Sequence, residues 1–423
     1  MSSRPATSAR AGEAVGRLER ELGPGGVSTW REAPDAPELP CAAPDSEEAW
    51  SAALRIAAEA GLKVVPAGAG SKASWYRRAE TVDLALSTHR WRGVVSYEPG
   101  DGTVTARAGT GMADLAATVA TGGHHLTPDV PNPERSTLGG VLAAGQSGFD
   151  RLRYGPSRHA LLGMRALLAD GTVARSGGQL VKNVTGYDLH RLYCGSHGTL
   201  CVVLEASLRL YPDPEEVRVL RIESTGRDEA LAQARELLAL PIHHHALWVE
   251  GADDEWSVEV ALAGRSEIVA HEAGLVAQRL GAAKELVGDA ARARVTAARD
   301  GLAPDSRWPA LELSTRRTDL AGVLQRVDDA LRGLGLAPRT IAHPGLAQAW
   351  LDLDGLDASA GAALHGALEG LPARVAWRAA PAELRASLPA FGVPPAALAM
   401  MRKLRDALDP DGLFAAGRTF GGL

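Results

Sequence analysis

The residues of this chain that invite chemistry are its glycine loops. Gly68 and Gly70 lie in Ala67-Gly68-Ala69-Gly70-Ser71-Lys72, and Gly139, Gly140, Gly145 and Gly148 form a second set introduced by Pro128 and Thr137. Lys182-Asn183-Val184-Thr185-Gly186-Tyr187-Asp188 then leads to a third, Gly195-Ser196-His197-Gly198-Thr199-Leu200. Glycine lets backbone approach a neighbour that a side chain would block. Backbone N–H groups in such loops bind phosphate without a side-chain charge, and Ser71, Thr137 and Ser147 add hydroxyl donors. Any one loop taken alone reads more simply as a tight turn. The first two lack both a G-x-G-x-x-G after an opening strand and a Walker A Lys-Ser/Thr ending, which argues against a Rossmann NAD site and a P-loop ATPase.

These loops need elements to hold them. Asp45-Ser46-Glu47-Glu48 reads as a capped helix start with Asp45 at the cap; Ala49, Ala53, Ile56, Ala57 and Ala60 mark one face, and Gly61 stops it. Lys63-Val64-Val65-Pro66 is a short buried strand feeding the first loop. Strands follow over 82–86, 93–97 and 103–108, the last two joined by Pro99-Gly100-Asp101-Gly102. A helix spans 112–121, a small-residue helix starts after Thr137, a hairpin turns at Asp170-Gly171, and a longer strand runs to Pro212-Asp213-Pro214. Beyond that boundary the pattern becomes strand–helix–strand, which suits helices on one face of an antiparallel sheet. The expected division is a flexible tail or loose helix over 1–34, a first domain over 35–213, an α+β domain over 214–393, and a C-terminal segment over 394–423 that returns to the first domain.

Composition bounds the function. The 423 residues suffice for two or more domains. A net charge of −6 gives no general electrostatic case for nucleic acid, and 4% aromatic residues argue against a base-stacking platform. Cys41, Cys194 and Cys201 form no C-x-x-C pair, so neither a disulfide framework nor a cysteine-held cluster is expected, and a reducing compartment is. The first 26 residues lack the apolar stretch of a signal peptide, and no run of about 18 apolar residues suggests a membrane span. A cytoplasmic chain is expected, with any membrane association through a partner.

The order of the motifs says more than any one of them. With the C-terminal Asp409-Pro410-x-Gly412-x-Phe414-x-x-Gly417-Arg418, they make the chain resemble the FAD-binding domain of the vanillyl-alcohol oxidase/p-cresol methylhydroxylase (PCMH-type) family. Within it the chain is similar to the flavin subunits of bacterial glycolate oxidase, strongly over 45–212 and the C-terminal stretch and weakly between. The resemblance implies an α+β fold: a PCMH-type domain of two α/β subdomains plus a ferredoxin-like cap. It also implies that Ala67, Gly68, Ala69, Gly70, Ser71 and Lys72 wrap the FAD pyrophosphate from one side. Pro128, Thr137, Leu138, Gly139, Gly140, Gly145, Ser147 and Gly148 would approach from the other, with Gly155 beside them. Gly198, Leu200 and Val202 would offer backbone contacts. Arg418 would sit near the flavin ring, where a cation favours the negative charge that develops as hydride arrives. The first loop has no histidine of the kind that carries a covalent flavin in some relatives, so non-covalent FAD is expected. Cys201 replaces a usual glycine, Ala415-Ala416 a usual Asn-Pro, and His159 a common aspartate.

The resemblance implies hydride transfer from a 2-hydroxy acid of the glycolate or D-lactate class. Electrons would pass to a second flavin subunit and an iron–sulfur subunit. Such chemistry needs a base for the hydroxyl proton and a cation for the carboxylate. The metal-binding histidine segment of related dehydrogenases is missing from the sequence, so no metal site is assigned and the catalytic residues stay open. His343 is the histidine to test first; His124-His125 and His243-His244-His245 read more simply as turn, strand-start or solvated residues. Arg339 and Arg378 are the candidate carboxylate cations, although surface solvation suits each. Lys182 either meets a phosphate or caps a turn. Two other readings remain: a flavin-binding electron-transfer or assembly subunit without its own substrate site, and a free-standing alcohol oxidase.

Overall fold

The computed structural model describes residues 4–32, 36–73, 81–179, 186–281, 283–302, 310–378, 396–414, 417 and 419. A first subdomain holds α1 (Arg4–Leu22), β1 (Val27–Trp30), β2 (Leu39–Ala42), α2 (Glu47–Glu59), β3 (Val64–Ala67) and β4 (Leu84–Ser87), its sheet ordered β1-β2-β4-β3. Ala14, Leu18 and Leu22 of α1 pack with Trp50, Leu54 and Ile56 of α2 and with Leu84 and Leu86. The N-terminal tail is therefore a packed helix followed by an edge strand, not a loose end. Its apolar residues recur every fourth position among charges, a stripe too narrow to stand out in sequence. Ser46, not Asp45, caps α2: its Oγ accepts from Ala49 N at 3.1 Å, while Asp45 pairs with Arg90.

The second subdomain contains β5 (Val94–Glu98), β6 (Thr103–Arg107), α3 (Met112–Ala120), β7 (His124–Leu126), α4 (Leu138–Ala144), α5 (Arg151–Tyr154), α6 (Ser157–Ala160), β8 (Leu161–Leu167), β9 (Val173–Gly177), α7 (Leu189–Tyr193) and β10 (Val202–Pro212). β10 runs antiparallel between β6 and β8. Met112, Leu115 and Val119 of α3 and Leu138, Val141 and Leu142 of α4 pack over Val104, Ala106, Ala206 and Leu208. That packing fixes α4 against the sheet and gives the site one rigid wall.

The cap is a doubled ferredoxin-like unit. β11 (Glu216–Ser224), α8 (Arg227–Leu238), β12 (His244–Ala252), β13 (Glu255–Gly264), α9 (Ser266–Leu280) and β14 (Lys284–Val287) follow the β-α-β-β-α-β pattern. After α10 (Asp289–Asp300), the pattern repeats in β15 (Ala310–Thr315), α11 (Leu320–Gly333), β16 (Arg339–His343), β17 (Gln348–Asp352), α12 (Ala358–Ala367) and β18 (Ala373–Arg378). Pairing of β12 with β16 fuses the halves into one antiparallel eight-stranded sheet, ordered β14-β11-β13-β12-β16-β17-β15-β18. The four helices α8, α9, α11 and α12 bury one face of it. On the other face, Phe149 of the second subdomain inserts among Val219, Ala246, Trp248 and Ala261, stacked on Trp248 at 5.0 Å between centroids.

The C-terminal α13 (Leu398–Leu408) leads the chain back to the first subdomain, where Phe414 is fully buried and bridges to Val64. The Asp409 carboxylate accepts from Leu413 N (2.7 Å) and Phe414 N (2.8 Å), which closes the turn that makes the return possible. No helix among the described residues is long and apolar enough to cross a membrane.

Candidate functional site

The three glycine loops converge on one cleft between the two subdomains. β3 delivers Pro66 and Ala67 to its edge, and Gly68, Ala69, Gly70, Ser71 and Lys72 continue along it. Thr137, Gly139, Gly140, Ala143 and Ala144 of the α4 region form the opposite wall, and His197, Gly198, Cys201, Val202 and Val203 close the end. A Cβ on Gly68 would fall 2.1 Å from Thr137 Oγ1, so only glycine lets these two loops meet. Gly198 has φ +75° and sits against Pro66. The third loop is held by the last carbonyls of α4, with Gly195 N donating to Leu142 O (2.9 Å) and His197 N to Ala143 O (2.8 Å).

The first two loops are not equivalent as anion cradles. Leu138 N donates to Thr110 O (2.9 Å) and Gly139 N to Ala108 O (2.8 Å), so these amides are spent inside the fold. The amides of Gly68, Ala69, Gly70 and Ser71 have no hydrogen-bond partner among the described residues. Four successive open N–H groups make a concavity suited to phosphate oxygens. Lys72 stands beside them, its Nζ donating to Ser71 Oγ (3.0 Å) and Ser136 Oγ (2.9 Å). Burial pushes its ammonium down to about 8, a cost that a bound anion would offset. The Cys201 thiol, by contrast, is pushed up to about 12 by burial, which leaves it protonated and inert in the wall.

Not every expected residue lines this cleft. Gly145 and Ser147 line a second cavity instead, which adjoins the first at the shared Ala144. Pro128, Leu138, Gly148, Gly155 and Leu200 line neither. Leu138 belongs to the core under α4, and Gly148 lies so close to the Asp129 carbonyl that a Cβ would fall 1.9 Å from it. Lys182, Ala415, Ala416 and Arg418 lie outside the described residues. Trp30, Thr88, Ala143, Ala144 and His197 line the cleft without having been singled out. Ala143 and Ala144, small residues closing a glycine-opened helix, were the readable signal for a close ligand approach.

The histidine and arginine candidates are rearranged more deeply. His343 is 1% exposed, lies 4.2 Å from the Phe149 ring, and neither ring nitrogen has a hydrogen-bond partner among the described residues. Burial pushes it down to about 3, so it is a neutral core residue and not a base facing the cleft. His124 and His125 lie in β7, where His124 Nδ1 meets Tyr97 OH at 3.0 Å. His243 meets Glu272 and His244 the Leu237 carbonyl; β12 begins at His244, so the three stand at a strand start as read, with His245 buried and paired with Asp150 at 2.9 Å instead of solvated. Arg339 stays half exposed near Glu250. Arg378 is buried in an ion pair with Glu312 and is not a surface residue. Among the described residues, no group of three His, Cys, Asp or Glu is placed to hold a metal.

Residues 40–177 match the FAD binding domain family. The chain is 36% identical over 211 residues to glycolate oxidase subunit GlcE of Escherichia coli, covering 48% of this chain and 59% of that one. It is 30% identical over 254 residues to D-lactate dehydrogenase of Archaeoglobus fulgidus, covering 56% and 57% respectively. It is 32% identical over 187 residues to the mitochondrial D-2-hydroxyglutarate dehydrogenase of Bos taurus, covering 44% and 34%. The chain thus spans roughly half the length of the relatives it matches, or less. Among solved structures, alkyldihydroxyacetonephosphate synthase superposes with a TM-score of 0.70 at 16% identity, over 96% of this chain and 84% of that one, a likeness of fold. The open amides, the buried ammonium and the close glycine contacts fit a dinucleotide pyrophosphate. The chain therefore carries an FAD-binding domain of the PCMH type.

Proposed function

We propose that this chain is the FAD-dependent subunit of an oxidoreductase that takes hydride from the α-carbon of a small 2-hydroxy acid of the glycolate or D-lactate class. Electrons then leave to partner subunits, a second flavoprotein and an iron–sulfur protein. The observation that carries the reading is the cleft, in which four open amides and Lys72 converge inside a domain whose relatives are named as glycolate oxidase subunits and hydroxy-acid dehydrogenases. Bound FAD supplies the hydride acceptor. The chain's own part is to hold it without a covalent bond: Gly68 to Ser71 by backbone amides, Lys72 by charge, and Gly198 and Val202 by close backbone approach beside Cys201. The α4 wall excludes water from the side facing the second subdomain.

A second reading has a specific observation in its favour. The enclosure of His343 removes the leading candidate for a base, which suits a flavin-binding electron-transfer or assembly subunit. Anaerobic mixing of the purified chain with glycolate and D-lactate separates the two. Bleaching of the flavin absorbance by the isolated chain supports the first reading, and bleaching only after partner subunits are added supports the second. A purified chain that carries no flavin and takes up none on addition overturns both.

A further inference from the structure

We propose that the N-terminal unit of α1 and β1 is a strap on the bound cofactor. Trp30, the last residue of β1, donates its indole N–H to the FAD pyrophosphate beside Gly70, so that docking of the strap and binding of FAD stabilise each other. The inference rests on the reading of the glycine-loop cleft as the pyrophosphate site. It adds to that site a donor from outside the FAD binding domain match, which begins only at residue 40.

The unit grips the first sheet from both faces. Ala14, Leu18 and Leu22 of α1 join Ala42, Leu84 and Leu86 on one of them. The two-residue alternation of strands turns Cys41, Val65 and Ala85 to the other, and Trp30 packs against those three. The chain passes from helix to strand through Gly23-Pro24-Gly25-Gly26. A Cβ on Gly26 would fall 2.3 Å from that of Leu22, so only glycine lets β1 start so close to the helix end. β1 then pairs along the sheet edge, with Val27 opposite Ala42 and Trp30 opposite Leu39. Arg31 Nη2 donates to Glu38 Oε1 at 2.9 Å, which ties down the residue after Trp30.

From that face Trp30 reaches the cleft. Its Nε1 lies 3.7 Å from the point that a Cβ on Gly70 would occupy, beside the open amides of Gly68 to Ser71. The ring is half-buried against apolar side chains, yet its N–H has no hydrogen-bond partner among the described residues. Packing alone asks for no donor at this position. A packed indole whose one N–H stands beside an amide concavity adds a further donor to it. A phosphate oxygen supplies the charged acceptor that makes such a bond strong. The contact exists only when cofactor and strap are both in place, so linkage makes it reciprocal. FAD resists the opening of α1 and β1, and losing the Trp30 donor weakens FAD by the corresponding factor.

The test uses the full chain, freed of flavin and titrated calorimetrically with FAD and with ADP, which carries the pyrophosphate without the flavin. Trp30→Phe keeps the packed ring and removes the donor. It is expected to weaken both ligands about 10-fold and to leave the melting temperature of the FAD-free protein nearly unchanged. Hydrogen exchange over residues 4–30 reads the strap directly: FAD slows it in the parent and slows it less in Trp30→Phe. The parent half of that measurement needs no variant, and an exchange rate that FAD does not change overturns the strap. Trp30→Phe that binds both ligands as the parent does overturns the donor assignment, and so does a loss confined to FAD, which places Trp30 away from the pyrophosphate. A parent chain that takes up neither FAD nor ADP overturns the reading of the cleft itself.

Discussion

The two halves of the cap sheet share one topology and differ on the face they turn toward the FAD domain. In the first half, that face carries Val217, Val219, Ala246, Trp248 and Ala261, and it is closed by Phe149 and by Ala291 and Ala298 of α10. In the second half, the corresponding face carries Glu312, Gln348, Trp350 and Arg378, and it borders an open cavity. His343 marks the seam, 4.2 Å from Phe149 on one side and 5.4 Å from Trp350 on the other. A duplicated scaffold has thus been divided by side-chain choice at alternate strand positions, one half closed by docking of Phe149 and the other bordering a polar cavity.

The docking half can be broken by one change. Phe149 is fully buried and belongs to the cap's cluster although its chain segment belongs to the FAD domain. Phe149→Ala is expected to cost about 3–5 kcal/mol and to loosen the cap before the FAD domain unfolds. Urea unfolding followed by tryptophan fluorescence, together with protease sensitivity near Pro212-Asp213-Pro214, measures it. An unchanged midpoint and unchanged cleavage mean that the apolar half is not what holds the cap in place.

This comparison also separates what the sequence made readable from what it did not. The glycine loops were legible because their geometry is local: Gly68 and Gly198 sit in short turns whose conformation is written in neighbouring residues. The doubled ferredoxin-like unit was half legible, since the strand–helix alternation was visible but its repetition was not distinguished. Arg378, Gln348 and Arg151 were illegible as a group. They are joined by strand register and by domain docking across some two hundred positions of sequence, and no local pattern records either. His343 misled because a histidine before Pro344-Gly345 looks like a loop residue, whereas β16 turns it toward Phe149. Phe149 itself was a usable signal that went unread: a large aromatic directly after Gly148 in a stretch of small and polar residues needs a partner to bury it.

Lys72 sharpens the contrast between charge at the two ends of the cleft. At the cap end the cations are guanidinium groups, which stay charged at any working pH. At the pyrophosphate end the cation is an ammonium that burial has pushed down to about 8. Below that value Lys72 is charged and ready for an anion; above it the group is neutral until FAD raises its pKa again. FAD affinity is therefore expected to be flat below about pH 8 and to fall above it, with net proton uptake on binding. Lys72→Met is expected to weaken FAD about 10-fold or more and to flatten the pH profile; Lys72→Arg keeps affinity and loses the pH dependence. Calorimetric titration of the FAD-free protein in buffers of different ionisation enthalpy reads both. A parent profile that stays flat to pH 9.5 removes Lys72 from the pyrophosphate.

The smallest expected effect concerns the ionic clasp between the docking half and the FAD domain. His245 of β12 meets Asp150 at 2.9 Å across the domain boundary, with Asp129, Arg153, His125 and Tyr154 also around it. Burial alone would push the imidazole down, but Asp150, with Asp129 behind it, outweighs burial and holds the pKa above its ordinary 6.5. A histidine whose folded pKa is raised contributes stability that is fully present below about pH 6.5 and is lost as pH rises through the folded value. The melting difference between the parent and His245→Gln should therefore be greatest at mildly acidic pH, a matter of a few degrees, and shrink on the alkaline side. Asp129 is shared by both proteins, so its own burial-raised pKa largely cancels in the difference. A gap that is constant with pH would show that His245 holds the cap by packing alone, like Phe149 beside it, and that no charge pair contributes to the contact between Asp150 and β12.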